Sequence, residues 1–185
     1  QSFSDRYGCL DTDADGYSNP DPGGLFGVSE WYAHPVGLAD AFPSDNTQWT
    51  DTDADGYGDN WDDPTWNATH IAWGIGQWLE VASTPDACPF ITGTSSSDRF
   101  GCPDTDSDTY SDGDENWTID NGSDAFPSEP TQWLDTDRDG WGDNQSFGAA
   151  RIDDFPENPT QWRDTDRDGW GDNQTYGASQ IDDFP

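Results

Sequence analysis

Hydrophobic residues are thinly spread along this chain of 185 residues. Its most apolar stretch, Ile71 to Val81, is short and is broken by two glycines and a glutamine. Gly, Asn and Pro follow the acidic segments, and these residues end helices and favour turns. The pattern predicts a fold of low regular secondary structure, mostly loops and turns with short extended segments. Short helices are predicted only at Thr69–Val81 and Val28–Ala33.

Two kinds of repeat organise the chain. The first carries a D-[AD]-F-P box and a T-Q-W box: residues 124–144 read DAFPSEPTQWLDTDRDGWGDN, and residues 153–173 and 40–60 are related copies. The second contains a cysteine, as in SDRYGCLDTDADGYS at 4–18 and SDRFGCPDTDSDTYS at 97–111. The predicted units are 1–39, 40–60, the unique Trp-rich segment 61–96, 97–123, 124–152 and 153–185, the last of which includes the start of a further copy.

Each repeat contains an acidic loop of the form D-x-D-x-D, usually followed by Gly and an aromatic residue. Carboxylates at alternate positions before a tight turn supply the oxygen ligands that Ca²⁺ requires. The predicted ligands are the side chains at positions 1, 3 and 5, the backbone carbonyl at position 7 and the side chain at position 9, often through water. In the first to fifth loops they are Asp11, Asp13, Asp15, Tyr17 and Asn19; Asp51, Asp53, Asp55, Tyr57 and Asp59; Asp104, Asp106, Asp108, Tyr110 and Asp112; Asp135, Asp137, Asp139, Trp141 and Asp143; and Asp164, Asp166, Asp168, Trp170 and Asp172.

A calcium loop also needs a closing carboxylate. Position 12 is acidic only in the second and third loops, as Asp62 and Glu115. For the other loops we expect the closing group at the start of the next repeat, and the same logic adds a candidate for the third. These candidates are Asp40, Asp124, Asp153 and Asp182 for the first, third, fourth and fifth loops. Thr109 replaces the usual Gly and is expected to weaken the third loop.

The charge balance of 39 acidic against 6 basic residues gives a formal charge of -33. This excess excludes a phosphate-binding nucleic-acid surface, and no apolar run is long enough for a membrane span. A solvated acidic face would not need five loops in register, so the spacing favours Ca²⁺, about five or more ions, over Mg²⁺ or Zn²⁺. Because aliphatic residues are few, we expect calcium binding to supply the folding free energy.

The D-x-D-x-D-G-x-G-D-N loops, with C-P-D-T-D at 102–106, resemble thrombospondin type 3 repeats. The resemblance covers the five loops, under half of the chain. It implies a calcium-binding array in a secreted protein, with Asp51, Asp53, Asp55, Asp59 and Asp62, and the matching residues of the other loops, as ligands. The F-P and Q-W boxes depart from that family and are similar to arrays in large secreted microbial proteins.

The box aromatics are expected to pack against neighbouring loops, because they recur at fixed positions in each repeat. They are Phe42, Phe126, Phe155 and Phe184, and Trp49, Trp133 and Trp162. The tryptophans of the unique segment are better candidates for recognition, although packing is possible there too. They are Trp61, Trp66, Trp73 and Trp78.

The three cysteines predict one disulfide, Cys88–Cys102, formed in an oxidising compartment. Cys9 is then either free or paired outside the chain. Glycosylation sequons occur at Asn67, Asn116, Asn121, Asn144 and Asn173, so attached glycans are expected.

The sequence has no nucleophile elbow, phosphate loop or zinc-protease motif, and we expect no enzyme activity. We predict an extracellular or cell-surface, calcium-binding structural protein that associates head to tail into a filament or surface fibre. The unfinished repeat at 182–185 and the unpaired Cys9 motivate that expectation, although a piece cut from a longer array would have the same ends. The alternatives are a carbohydrate-binding or adhesive module and a spacer in a larger secreted hydrolase.

Overall fold

The computed structural model describes residues 1–21, 31–183 and 185. Within these ranges one α-helix occurs, α1 (Asn67–Trp73), directly after a 3-10 turn at Pro64–Trp66. The β-structure of the same ranges consists of isolated bridges between single residue pairs, such as Gly142 with Ile152. The predicted loop-rich fold is therefore confirmed. No helix in the described ranges combines the length and hydropathy needed to cross a membrane.

Helix α1 lies between a capped turn and a glycine. The 3-10 turn before it is capped by Asp63, which accepts a hydrogen bond from the backbone N–H of Thr65 at 2.8 Å, and Pro64 follows at a position that needs no donor. Gly74 ends the helix with a left-handed φ of 72°. The helix thus begins before the predicted Thr69 and ends well before Val81. The other predicted helix, Val28–Ala33, lies for its first half outside the described residues.

The chain forms two compact units, Gln1–Pro103 and Asp104–Pro185. The first contains the first two acidic loops, helix α1 and the Cys88–Cys102 disulfide that the sequence predicted. The second contains the other three acidic loops. The division falls inside the predicted repeat 97–123, directly before the third loop.

The interior is mostly polar. Buried apolar side chains are few, among them Trp49, Trp61 and Phe126, whereas glutamine, asparagine, serine and aspartate supply most of the fully buried groups. Buried polar groups are tolerated only when hydrogen bonds or ions satisfy them. The fold therefore depends on how these groups are paired.

The glutamine of each T-Q-W box precedes an acidic loop and hydrogen-bonds to the chain that follows that loop. Gln132 is fully buried, and its Nε2 donates to the carbonyls of Asn144 at 3.0 Å and Ala150 at 2.6 Å. Its Oε1 accepts from the backbone N–H of Asn144 at 2.9 Å. Gln48 and Gln161 make the same bonds in their own repeats.

Aromatic rings stack from one repeat to the next. The ring at position 7 of a loop packs on the tryptophan of the following T-Q-W box, with interplanar angles of 6° to 11°. The pairs are Tyr17–Trp49 at 5.0 Å, Tyr110–Trp133 at 5.1 Å and Trp141–Trp162 at 6.0 Å between ring centroids. In the second loop Tyr57 instead packs on Phe100 at 5.6 Å. These contacts confirm that the three box tryptophans pack against neighbouring loops. Phe184 lies outside the described residues.

Candidate metal centres

The carboxylates at positions 1, 3 and 5 converge in all five loops. In each loop one oxygen from each of the three side chains lies within 4.8 Å of the other two. The triplets are Asp11, Asp13 and Asp15; Asp51, Asp53 and Asp55; Asp104, Asp106 and Asp108; Asp135, Asp137 and Asp139; and Asp164, Asp166 and Asp168. Such triplets can hold metal ions.

Hydrogen bonds from the loop backbone orient these carboxylates. In the fourth loop Asp135 accepts from the N–H groups of Arg138 at 2.7 Å and Gly140 at 2.9 Å, and Asp139 accepts from Trp141 at 2.9 Å. Arg138 and Gly140 have φ values of 68° and 90°, which turn the chain tightly around the first carboxylate. The other loops repeat this pattern, so the shared sequence fixes one local geometry.

A fourth aspartate closes each loop from the start of the next repeat. The backbone N–H of Asp153 donates to the carbonyl at position 8, Gly142, at 2.9 Å, and its Oδ1 accepts from the N–H two residues later, Phe155, at 2.7 Å. Asp40, Asp124 and Asp182 make the same position-8 bond in the first, third and fifth loops. All four are 0–5% exposed, so these residues are buried beside their loops, and their role as closing ligands stays a prediction.

In the second loop the matching backbone bond is made by Asp86, a residue that the sequence analysis did not propose. Asp86 donates its N–H to Gly58 at 2.8 Å, the position-8 carbonyl, and is 1% exposed. The predicted Asp62 instead accepts from the N–H of Ala82 at 3.3 Å. Asp86 begins the segment D-A-C-P, a D-[AD]-F-P box with cysteine in place of phenylalanine, and that likeness is the signal that could have found it. Glu115, the position-12 residue of the third loop, is exposed.

Several buried oxygens in these clusters have no hydrogen-bond partner in the described part of the chain. They include the Oδ2 atoms of four closing residues, Asp40, Asp86, Asp124 and Asp153. They also include the Oδ2 atoms of Asp15, Asp53 and Asp139 in the triplets. A buried carboxylate oxygen without a donor is costly unless a cation satisfies it.

Burial and mutual repulsion disfavour the ionised form of these carboxylates. Desolvation, with smaller contributions from the loop aspartates, raises the pKa of Asp40, Asp124 and Asp153 to about 7. The same causes raise the pKa of Asp86 to about 9 and that of Asp15 and Asp53 to about 6. Each of the first four clusters is therefore a place where positive charge would be strongly stabilised.

The position-9 side chains hydrogen-bond to the residue at position 2 of the same loop, a threonine. Asp59 accepts from the backbone N–H of Thr52 at 3.1 Å and from its hydroxyl at 2.8 Å, so both its oxygens are engaged across the loop. Asp112, Asp143 and Asp172 bind the matching threonines, and Asn19 binds Thr12. Position 9 thus shapes the loop, and its role as a ligand through water stays a prediction.

The position-7 residue has two contacts of its own. Its backbone N–H donates to the position-5 carboxylate, and its ring stacks on a neighbouring ring, as Trp141 shows. Its carbonyl stays a predicted ligand.

The fifth loop is the most exposed. Asp166 and Asp168 are exposed, whereas their counterparts in the other four loops are largely shielded. Water screens charges more strongly at an exposed site. The five loops are therefore built alike but differ in dielectric environment.

Two predicted glycosylation sites have a structural role. The side-chain amides of Asn144 and Asn173 donate at 2.7 Å to the carbonyls of Thr131 and Thr160, as that of the buried Asn60 does to Thr47. Asn67 accepts from the indole N–H of Trp61 at 2.7 Å. Asn116 and Asn121 are exposed.

The unique tryptophans divide into buried and accessible residues. Trp61 is 2% exposed and packs on His70 at 4.7 Å, so its ring is unavailable for stacking on a ligand. Trp66 also stacks on His70, with 5.3 Å between the ring centroids. Trp73 and Trp78 are 47% and 50% exposed.

Five clusters of convergent carboxylates, each closed by a buried fourth aspartate, make up the candidate site of this chain. Their oxygen-only side chains suit a hard divalent cation, and the described residues place neither imidazole nor thiolate in any of the triplets. No family model, curated protein or solved structure matches the chain.

Proposed function

We propose that this chain is an extracellular structural protein whose repeats are held together by calcium, in an array related to thrombospondin type 3 repeats. The observation that carries the proposal is a buried closing aspartate whose Oδ2 has no hydrogen-bond donor in the described chain and which lies near the carboxylates of its loop. Four of the five loops show it in the described chain, at Asp40, Asp86, Asp124 and Asp153. A cation at each cluster would satisfy these oxygens and cancel their repulsion.

The ligand chemistry favours calcium over other metals. Four carboxylates and the predicted backbone carbonyl would supply the oxygen ligands that Ca²⁺ takes up, six to eight in number when waters are added. Mg²⁺ keeps several of its waters and needs fewer protein ligands, and Zn²⁺ favours sulfur and nitrogen. About five or more bound ions follow from this assignment.

The position of these sites, where one repeat meets the next, favours a structural role. In the first, third and fourth loops a closing aspartate and a stacked aromatic pair join the loop to the next box, so a bound ion would link neighbouring repeats. Metal binding then becomes folding free energy. An extracellular location is supported by the Cys88–Cys102 disulfide, since such bonds persist in oxidising compartments, and by the millimolar calcium that weak extracellular sites use. We extend the proposal to association of copies into a filament or surface fibre.

The assignment is tested by comparing Asp86→Asn with Asp62→Asn. Asparagine keeps the shape of aspartate but removes its charge, and only Asp86 lies at the closing position. Calcium titration by calorimetry should show one site fewer in Asp86→Asn and an unchanged number in Asp62→Asn. Equal stoichiometry and affinity in both variants and the native chain would contradict the proposed site.

A carbohydrate-binding role is the second candidate, and the exposure of Trp73 and Trp78 favours it. Exposed tryptophan faces stack on sugar rings as well as on protein. Glycan binding that is lost in Trp73→Ala or Trp78→Ala, but not in Phe147→Ala, would support this role. Phe147 is a suitable control because it is fully exposed and far from helix α1 in the sequence.

A further inference from the structure

The segment 88–102, which the Cys88–Cys102 disulfide closes, lies directly against the second acidic loop. The hydroxyl of Thr92 donates to the backbone carbonyl of Asp53 at 3.2 Å. The backbone N–H of Gly93 donates to Oδ2 of Asp55 at 3.0 Å. Because Asp55 belongs to the carboxylate triplet of this loop, the segment reaches the candidate metal cluster itself.

The far end of the same segment also approaches the cluster. A Cβ atom added to Gly101 would lie 2.3 Å from Oδ1 of Asp86 and 3.1 Å from Oδ2 of Asp55. No side chain fits between Gly101 and these two carboxylates without displacing one of them. The segment therefore covers both the closing aspartate and a member of the triplet, and its backbone lies in direct contact with the place where an ion would sit.

The disulfide joins the two parts of the chain that hold this cover in place. The backbone N–H of Cys88 donates to Oδ1 of Asp86 at 2.7 Å, so one cysteine is anchored at the closing aspartate. Cys102 is fully buried, and its carbonyl accepts from the N–H groups of Thr94 and Ser95 at 3.0 and 3.2 Å. Without the disulfide, only non-covalent contacts would keep the segment over the second loop.

The second loop differs in this respect from the loops that pack on a T-Q-W box. In the first, third and fourth loops a stacked ring pair and backbone hydrogen bonds hold the next box, without a disulfide. The second cluster is also the most shielded at positions 1 and 9. Asp51 is 7% and Asp59 is 1% exposed, whereas the matching residues of the other loops are less buried. Deep burial and a covalently tied cover thus coincide at one site.

We propose that the segment 88–102 is a lid on the second metal site, that the ion beneath it leaves more slowly than the others, and that a dithiol which reduces the disulfide releases this ion selectively. The inference rests on the proposed calcium-binding function and adds a means of regulating one site. In the reduction the bond between the two Sγ atoms breaks, the cysteines take up two electrons and two protons, and the dithiol becomes a cyclic disulfide. Loss of this cross-link frees the lid to open.

Calcium release from the full chain into a fluorescent chelator tests the lid. The oxidised chain should show a slow phase equal to one ion, and Asp86→Asn should abolish it, which assigns the phase to the second site. Dithiothreitol should accelerate this phase roughly tenfold or more and leave the other phases unchanged. The double variant Cys88→Ser with Cys102→Ser should release the ion rapidly without reductant. Cys9→Ser should behave as the native chain does, because that cysteine lies outside the lid.

A matched pair of glycine variants tests the lid with the disulfide intact. Gly101 and Gly8 have similar left-handed φ values of 74° and 80°, so alanine causes comparable backbone strain at both positions. Only at Gly101 would the added Cβ meet Asp86, since no atom lies within 4 Å of a Cβ at Gly8. Gly101→Ala should therefore weaken calcium binding at one site roughly tenfold, whereas Gly8→Ala should leave every site unchanged.

The outcomes separate the lid from the proposed function. A slow phase that stays unchanged after reduction, with both thiols verified by alkylation and mass spectrometry, overturns the lid alone. Equal acceleration of release from all loops also overturns it, because that result indicates general unfolding instead of opening at one site. Equal calcium affinities in Gly101→Ala and Gly8→Ala have the same consequence. A chain that binds no calcium in either redox state overturns the proposed function.

Discussion

Gln132 shows how a buried polar side chain can stabilise this fold, a role that aliphatic side chains have in most protein interiors. Its amide makes three hydrogen bonds across the fourth loop and packs against Gly142. A Cβ atom added to Gly142 would lie 2.0 Å from Oε1 of Gln132. The box glutamine and the position-8 glycine are therefore one steric unit. The loops that follow no T-Q-W box have serine at this position, Ser18 and Ser111.

Gln132→Ala should lower the free energy of unfolding by about 3 kcal/mol, because three buried hydrogen bonds are lost at about 1 kcal/mol each. Gly142→Ala should also be destabilising, through the clash with Gln132. The double variant should be less destabilised than the sum of the two single variants, since the clash disappears with the glutamine. Urea unfolding in calcium measures all three, and strict additivity would contradict the steric coupling.

Thr109 has a backbone conformation that suits glycine. Its φ is 84°, close to the 90° of Gly140 at the matching position of the fourth loop. A β-branched residue is strained there. Thr109→Gly should raise the free energy of unfolding by about 1 kcal/mol, and Gly140→Thr should lower it by a similar amount. Opposite signs in calcium-saturated urea unfolding would confirm the strain; an unchanged midpoint in both variants would contradict it.

At the scale of elements, the repeat unit could be predicted from the sequence more fully than its junctions. The D-x-D-x-D spacing gave the five triplets, and the next box gave Asp40, Asp124, Asp153 and Asp182. Asp86 was missed because the segment 61–85 separates it from its loop and because its box carries cysteine. From position 9 to the closing aspartate the chain runs 10 to 12 residues in the last three loops and 21 in the first, but 27 in the second, where no intact D-[AD]-F-P box marks the end.

Other features depend on contacts that no single repeat contains. The position-9 residues follow the ligand spacing of a calcium loop, yet they bind the threonine at position 2, which recurs in every loop as D-T-D. The stacked rings join residues of successive repeats, so their pairing becomes visible only in three dimensions. The burial of Trp61 against His70 depends likewise on helix α1 folding back over it.

For the whole molecule, stability without metal should depend on pH. The pKa of Asp40, Asp124 and Asp153 is raised from 3.8 to about 7 in the fold, so these groups favour the folded state when they are protonated. Their contribution is complete below about pH 4 and is lost as the pH rises through about 7. Metal-free protein should therefore resist urea better at about pH 5 than at about pH 8.

Calcium should reverse this order, because the ion binds the ionised carboxylates and competes with protons. Tryptophan fluorescence during urea unfolding, at both pH values and with calcium or after its removal, measures the four conditions. Asp153→Asn should flatten the metal-free dependence, since asparagine does not titrate. A metal-free protein that is equally stable at both pH values would contradict the role of these carboxylates.

The aromatic rings at position 7 and their stacking partners make the second loop optically distinct from the others. The first three loops have tyrosine there and the last two have Trp141 and Trp170, each beside the cluster that its own backbone helps to shape. A luminescent lanthanide bound in place of calcium would receive energy from the nearest ring. Tryptophans stacked on Tyr17 and Tyr110 also lie beside the first and third loops, whereas the second loop pairs Tyr57 with Phe100. Excitation at the red edge of protein absorption, where only tryptophan absorbs, should therefore favour emission from the other four loops over emission from the second.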